Sequence, residues 1–111
     1  MIKKRYKVLV DDNFHFMDEK HRYGSGSFDT YDEAAAKCKS IIDDYLRSAL
    51  EPGMTKEQLF ASYTMFGEDP YITGGNEDTF EAWDYARNRC MVLVKMQRPG
   101  INKFIRDIDN E

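Results

Sequence analysis

Asp11, Asp12, Asn13, His15, Asp18, Glu19 and His21 crowd four carboxylates and both of the chain's imidazoles into one short polar stretch. Oxygen and imidazole nitrogen donors in that density suit a divalent cation, and Asp11, Asp12, His15, Asp18 and His21 form the candidate ligand set at the end of a hairpin. The spacing departs from the calcium-loop pattern, which needs a glycine at its sixth position and a distal bidentate glutamate. No second His or Cys pair completes a zinc site. Acidic residues in turns more often hydrogen-bond their own backbone. A divalent-metal-binding protein, or a small metal-dependent enzyme, therefore stands as one alternative.

A second pattern is a charge asymmetry. From Glu57 through Ala86 there is no Lys, Arg or His, while Glu57, Glu68, Asp69, Glu77, Asp78, Glu81 and Asp84 all fall in that stretch. Phe60, Tyr63, Phe66, Tyr71, Phe80, Trp83 and Tyr85 are interleaved with these acids. Acids beside exposed aromatic rings attract a cationic partner by long-range steering and by cation–π contact. Phe66, Glu68, Asp69, Tyr71, Glu81, Trp83 and Asp84 are thus candidate contacts for a basic protein or peptide surface, or for another copy of the chain. The competing structural reading assigns the acids to helix starts, where they complement the dipole, and the aromatics to the core. A third reading is a small-molecule sensor whose pocket lies between the sheet and the aromatic helices, lined by Tyr45, Phe60 and Trp83.

Nucleophilic catalysis needs Ser, Cys or Thr beside an oriented base. Cys38 and Cys90 fall on inward helix faces, and the serines lie in turns or mid-helix, so no triad signature is present. Gly24-Ser25-Gly26-Ser27 invites a phosphate-loop reading, but neither a lysine nor an immediate helix start follows it. No cofactor motif is present, and the reading leans to a non-catalytic module. Lys3, Lys4, Arg5 and Lys7, and again Lys95, Arg98, Lys103 and Arg106, make small basic areas. Net charge of -4 and the lack of a nucleic-acid-binding motif disfavour nucleic acid as partner.

These residues are positioned by a short series of elements. Arg5 to Val10 alternates with period two, the mark of a half-buried strand, and Asp11-Asp12-Asn13 reads as the break that ends it. Arg22 to Phe28 completes a hairpin, with Gly24 and Gly26 indicating a bulge. Thr30 with Glu33 forms a capping box, and Ala34, Cys38, Ile41, Ile42, Tyr45, Leu46 and Ala49 follow at helical spacing as a stripe that packs on the sheet. Pro52-Gly53 ends that helix. Thr55 with Gln58 opens a second, aromatic helix that stops at Gly67, where a left-handed residue is expected. Tyr71-Ile72-Thr73 reads as a brief edge strand, and Asp78 with Glu81 as a cap for a third helix from Thr79. Met91 to Met96 suits either a helix or a strand and is read as helix. After Pro99-Gly100, Ile101, Phe104, Ile105 and Ile108 fit a short terminal helix.

The expected class is α+β, with a small antiparallel sheet built on an N-terminal hairpin with up to two further short strands, packed against three or four helices. Its 111 residues, 41% hydrophobic against 32% charged, are enough for one core without staples. The longest clean apolar run, Cys90 to Val94, is far below the roughly 18 residues that cross a bilayer, so no membrane partner is expected. Basic residues at Lys3 to Arg5 are followed by Asp11 and Asp12 rather than an apolar signal core, which points to the cytoplasm.

The strings Tyr6 to Glu19, Phe28 to Ala34, Pro52 to Thr55, Phe66 to Ile72 and Ala82 to Ala86 resemble a family of small, uncharacterised bacterial proteins with no assigned function. The resemblance implies a bacterial origin and a single domain, and the length fits one domain over 1–111. It implies no activity, cofactor or catalytic residue, and it stops at Cys90.

Overall fold

The computed structural model describes residues 6–15, 22–74 and 80–97, apart from the side chain of His15. Three strands, β1 (Tyr6–Asp12), β2 (Tyr23–Phe28) and β3 (Glu68–Thr73), form an antiparallel sheet in the order β2-β1-β3. Three helices are present among the described residues: α1 (Tyr31–Ala49), α2 (Lys56–Phe66) and α3 (Ala82–Met96). A single 3-10 turn, Asn13–His15, leaves the end of β1. The fold is the expected α+β class. No described helix is long and apolar enough to cross a membrane.

Alternation in β1 buries Tyr6, Val8 and Val10 and leaves Lys7 exposed, as period two requires. The strand does not end at Val10. Asp11 and Asp12 continue it, opposite Asp69 and Glu68 of β3. The turn preference of aspartate is a local effect, and a neighbouring strand that supplies ladder hydrogen bonds overrides it. β3 is correspondingly longer than the expected Tyr71 to Thr73, and it is an edge strand. Pro70 fits there because its missing N–H leaves no ladder bond unmade on an open edge. The predicted bulge lies in β2: Lys7 faces Ser27 but Leu9 faces Gly24, so Ser25 and Gly26 together oppose Val8. Gly26 takes φ of 118°, and a Cβ there would stand 2.9 Å from the Phe28 ring.

Both capping boxes form. The Thr30 hydroxyl accepts from the Glu33 amide at 3.1 Å, and the Thr55 hydroxyl accepts from the Gln58 amide at 3.0 Å. Each is worth about 1 kcal/mol to its helix start. α1 does not lay its whole stripe on the sheet. Ala34, Cys38 and Ile41 pack with Tyr6, Val8, Val10 and Ile72, whereas Ile42 and Leu46 pack with Leu59, Tyr63, Ala86, Cys90 and Leu93 of α2 and α3. α1 is longer than the strands it covers, so its second half is left to the helices. Phe80 packs against both clusters.

Met91 to Met96 is helical, the last turns of α3. That helix starts at Ala82, later than the expected Thr79, and its N-cap Glu81 makes no side-chain capping hydrogen bond. Asp78, Thr79 and the expected terminal helix from Ile101 to Ile108 lie outside the described residues. Gly67 also differs from expectation: its φ of -78° is not left-handed. A glycine is needed there for space, since a Cβ would lie 2.5 Å from Tyr63 Cδ1 and 2.8 Å from the Tyr63 carbonyl oxygen. Gly67→Ala is therefore expected to lower stability by about 2 kcal/mol through overpacking, read as a lower urea midpoint with an unchanged slope. An unaltered midpoint would show that the Tyr63 ring yields freely.

Candidate functional site

Asn13 joins the end of β1 to the end of α2. Its backbone N–H donates to the Gly67 carbonyl at 2.9 Å, and its Nδ2 donates to the Tyr63 carbonyl at 2.8 Å. The Tyr63 carbonyl thus accepts a second bond beside the one from Gly67 N–H, and the carbonyl of the C-cap Gly67 gains a partner outside the helix. These bonds also place Asn13, only 8% exposed, in the wall of a cleft of about 430 Å³ between β3, the end of α2 and the start of α3. Asp69, Tyr71, Phe80, Glu81 and Trp83 line the same cleft. The Asn13 Oδ1 is buried with no hydrogen-bond partner among the described residues. Such an acceptor is costly to leave unmet.

The register puts Asp69 directly opposite Asp11. Like charges facing each other across a ladder repel. Arg22 resolves half of the conflict: its Nε and Nη2 donate to the two carboxylate oxygens of Asp11, at 2.7 and 3.3 Å. The same guanidinium lies 5.7 Å from the centre of the Tyr71 ring. No cation or donor among the described residues reaches the carboxyl of Asp69 or of Glu81. Burial, then Asp11, then Glu81 push the Asp69 carboxyl up to about 6. It is thus partly protonated near neutral pH, with its charge held in a half-buried site.

Four of the seven candidate partner contacts, Asp69, Tyr71, Glu81 and Trp83, line this cleft. The other three do not. Glu68 accepts from the Tyr23 hydroxyl at 2.9 Å, and burial together with this contact pushes that phenol up to about 12. Asp84 pairs with Arg87 at 3.2 Å on an exposed helix face. Phe66 is more than half exposed and stacks on the equally exposed Phe14, with ring centres 5.6 Å apart. Met65 beside it is exposed as well, so an apolar patch adjoins the cleft. Asn13, Thr64 and Phe80 were not among the predicted contacts. Nothing local distinguishes Asn13 from a solvated turn residue, because its burial depends on where α2 ends.

In the candidate metal set, Asp11 is occupied by Arg22, and Asp12 Oδ1 accepts from the Phe14 amide at 2.9 Å. The His15 side chain, Asp18 and His21 lie outside the described residues. Tyr45, Phe60 and Trp83, the expected sensor pocket, each make a ring contact with Tyr63, which fills the space between them. Cys38 and Cys90 are free and buried, as expected, and burial pushes the thiols up to about 12 and about 11, so neither supplies a thiolate at neutral pH. A larger groove of about 490 Å³ lies between the start of α2 and the end of α3. It is walled by Met54, Met91 and Val94 with Lys56, Glu57 and Lys95 at its rim, and no orphaned buried side chain lines it. Comparison with protein-family models, curated proteins and solved structures finds no match to this chain.

The Asp69 environment has a stability consequence. Its folded value of about 6 lies above the unfolded value, so the folded chain binds this proton more tightly. Ionisation therefore costs stability fully above that value, and the cost fades as pH falls toward the unfolded value. Asp69→Asn is expected to be the more stable chain by on the order of 1 kcal/mol at about pH 8, allowing for screening of the solvent-facing part, and to lose that advantage at about pH 4. Urea unfolding of both chains at the two pH values measures the difference. An advantage that is equal at both would show that Asp69 does not titrate in this window.

Proposed function

We propose that this chain is a non-catalytic interaction module whose acidic, aromatic cleft receives a basic protein or peptide. One observation carries the reading: Asp69 and Glu81 share a cleft with Phe80 and Trp83, and no described cation answers either carboxyl. Asp43, by contrast, is met internally by Arg89 and the Tyr85 hydroxyl, at 3.0 and 2.9 Å. Negative groups in a partly desolvated cleft draw a cation from a distance and hold it more firmly than an exposed carboxylate would. The exposed rings of Phe14 and Phe66, with Met65, add apolar area next to that charge. Aromatic and methionine side chains beside an electrostatic anchor are the usual composition of a binding surface.

Trp83 is the only tryptophan and is about 40% exposed in the cleft lining, so its emission provides a probe there. A short peptide rich in Lys and Arg is expected to quench or shift this emission saturably, while a Ser/Gly peptide of equal length does not. Raising salt from about 0.05 to about 0.5 M should weaken binding at least tenfold, because the attraction is screened. Asp69→Asn combined with Glu81→Gln should weaken it by about tenfold or more at low salt. Binding that ignores both salt and the double substitution would sink the proposal. Sedimentation over a range of concentrations separates a foreign peptide from a second copy of the chain.

A further inference from the structure

We infer that the group this cleft takes is a guanidinium, the arginine side chain of a partner, in preference to a lysine ammonium. The inference rests on the reading of the cleft as a cation-binding surface.

The cleft offers acceptors and lacks a matching donor. Asp69 and Glu81 bring carboxylates, and the wall also holds Asn13, whose buried Oδ1 has no hydrogen-bond partner among the described residues. The Asn13 amide has no freedom to turn over, since its Nδ2 is committed to the Tyr63 carbonyl. The Thr64 hydroxyl in the same wall already donates to the Ala61 carbonyl at 3.0 Å. A ligand that answers both carboxyls must therefore donate several hydrogen bonds from a compact cationic group. Guanidinium carries five N–H donors in a plane, against three at a single ammonium nitrogen.

The walls favour the planar group. Trp83 and Phe80 are flat and apolar, and a guanidinium stacks on such rings and sheds water more readily than an ammonium. The chain itself uses this arrangement one position away. Arg22 grips both oxygens of Asp11 while covering the ring of Tyr71, and Asp11 is the cross-strand neighbour of Asp69. Arg87 likewise places its guanidinium 4.8 Å from the centre of the Phe60 ring. An incoming arginine would do for Asp69 what Arg22 does for Asp11.

The test uses the full chain and three peptides identical but for one central residue, which is arginine, lysine or the uncharged isostere citrulline. The readout is the single Trp83 indole N–H resonance together with its emission. The arginine peptide is expected to bind about tenfold more tightly than the lysine peptide, and the citrulline peptide to bind more weakly than either. Asp69→Asn, an isosteric change whose fold is checked by circular dichroism, should remove the preference for arginine over lysine. Equal or tighter binding of lysine overturns the inference while leaving the cation-binding reading intact. No binding of either charged peptide overturns both.

Discussion

Tyr63 is the side chain around which the rest of this structure is arranged. It is completely buried, and its hydroxyl donates to the Glu68 carbonyl at 2.7 Å, tying the end of α2 to the first residue of β3. Its own carbonyl accepts from Gly67 N–H at 2.8 Å and from Asn13 Nδ2. Its ring touches Tyr45, Phe60 and Trp83 and so joins all three helices. A phenol at this depth needs its hydrogen bond, and burial raises its proton affinity far above the usual tyrosine range. Tyr63 therefore stays neutral and serves as a fixed post. The sharp passage from α2 to β3 follows from it, because only a residue without Cβ fits between its ring and its carbonyl.

From that passage comes the charge problem that defines the cleft. Once β3 begins at Glu68, the antiparallel register forces Asp69 opposite Asp11 and Glu68 opposite Asp12. One arginine, Arg22, serves the first pair and is spent on Asp11. The remaining carboxyl cannot move away, since its strand is held on one side by β1 and at its start by the Tyr63 hydroxyl. Charge at Asp69, unanswered among the described residues, is thus a product of the topology. Tolerating such a group is the familiar compromise of a binding surface, where folded-state optimum and ligand affinity diverge.

Local signals were legible in the sequence and long-range ones were not. Thr30 with Glu33 and Thr55 with Gln58 announced two helix starts because capping is settled within four residues. The alternation of Tyr6, Val8 and Val10 identified β1 and its buried face. Residue types alone end β1 at Val10, because the ladder that extends it through Asp12 comes from residues far along the chain. Position predicts a left-handed cap at Gly67, whereas its purpose is clearance for Tyr63, and sequence does not separate those two uses of glycine. The cleft was half visible: a stretch without cations pointed to Asp69, Tyr71, Glu81 and Trp83. Asn13 was lost among turn residues, for it becomes a buried acceptor only when α2 ends over it.

The absence of Lys, Arg and His between Glu57 and Ala86 now has a structural meaning. Among the described residues, the cations paired with acids in or facing this stretch come from outside it: Arg22, just before β2, for Asp11, which faces Asp69, and Arg87, one residue beyond the stretch in α3, for Asp84. Arg87 and Asp84 are neighbours on one exposed helix face, where such a pair adds little to stability. Arg22 reaches Asp11 because the hairpin brings it alongside. Neither route extends to the corner where β3 meets the start of α3, since β3 is an edge strand with no basic strand beyond it among the described residues. The proposed cationic partner would therefore meet Asp69 and Glu81 at the open edge of β3.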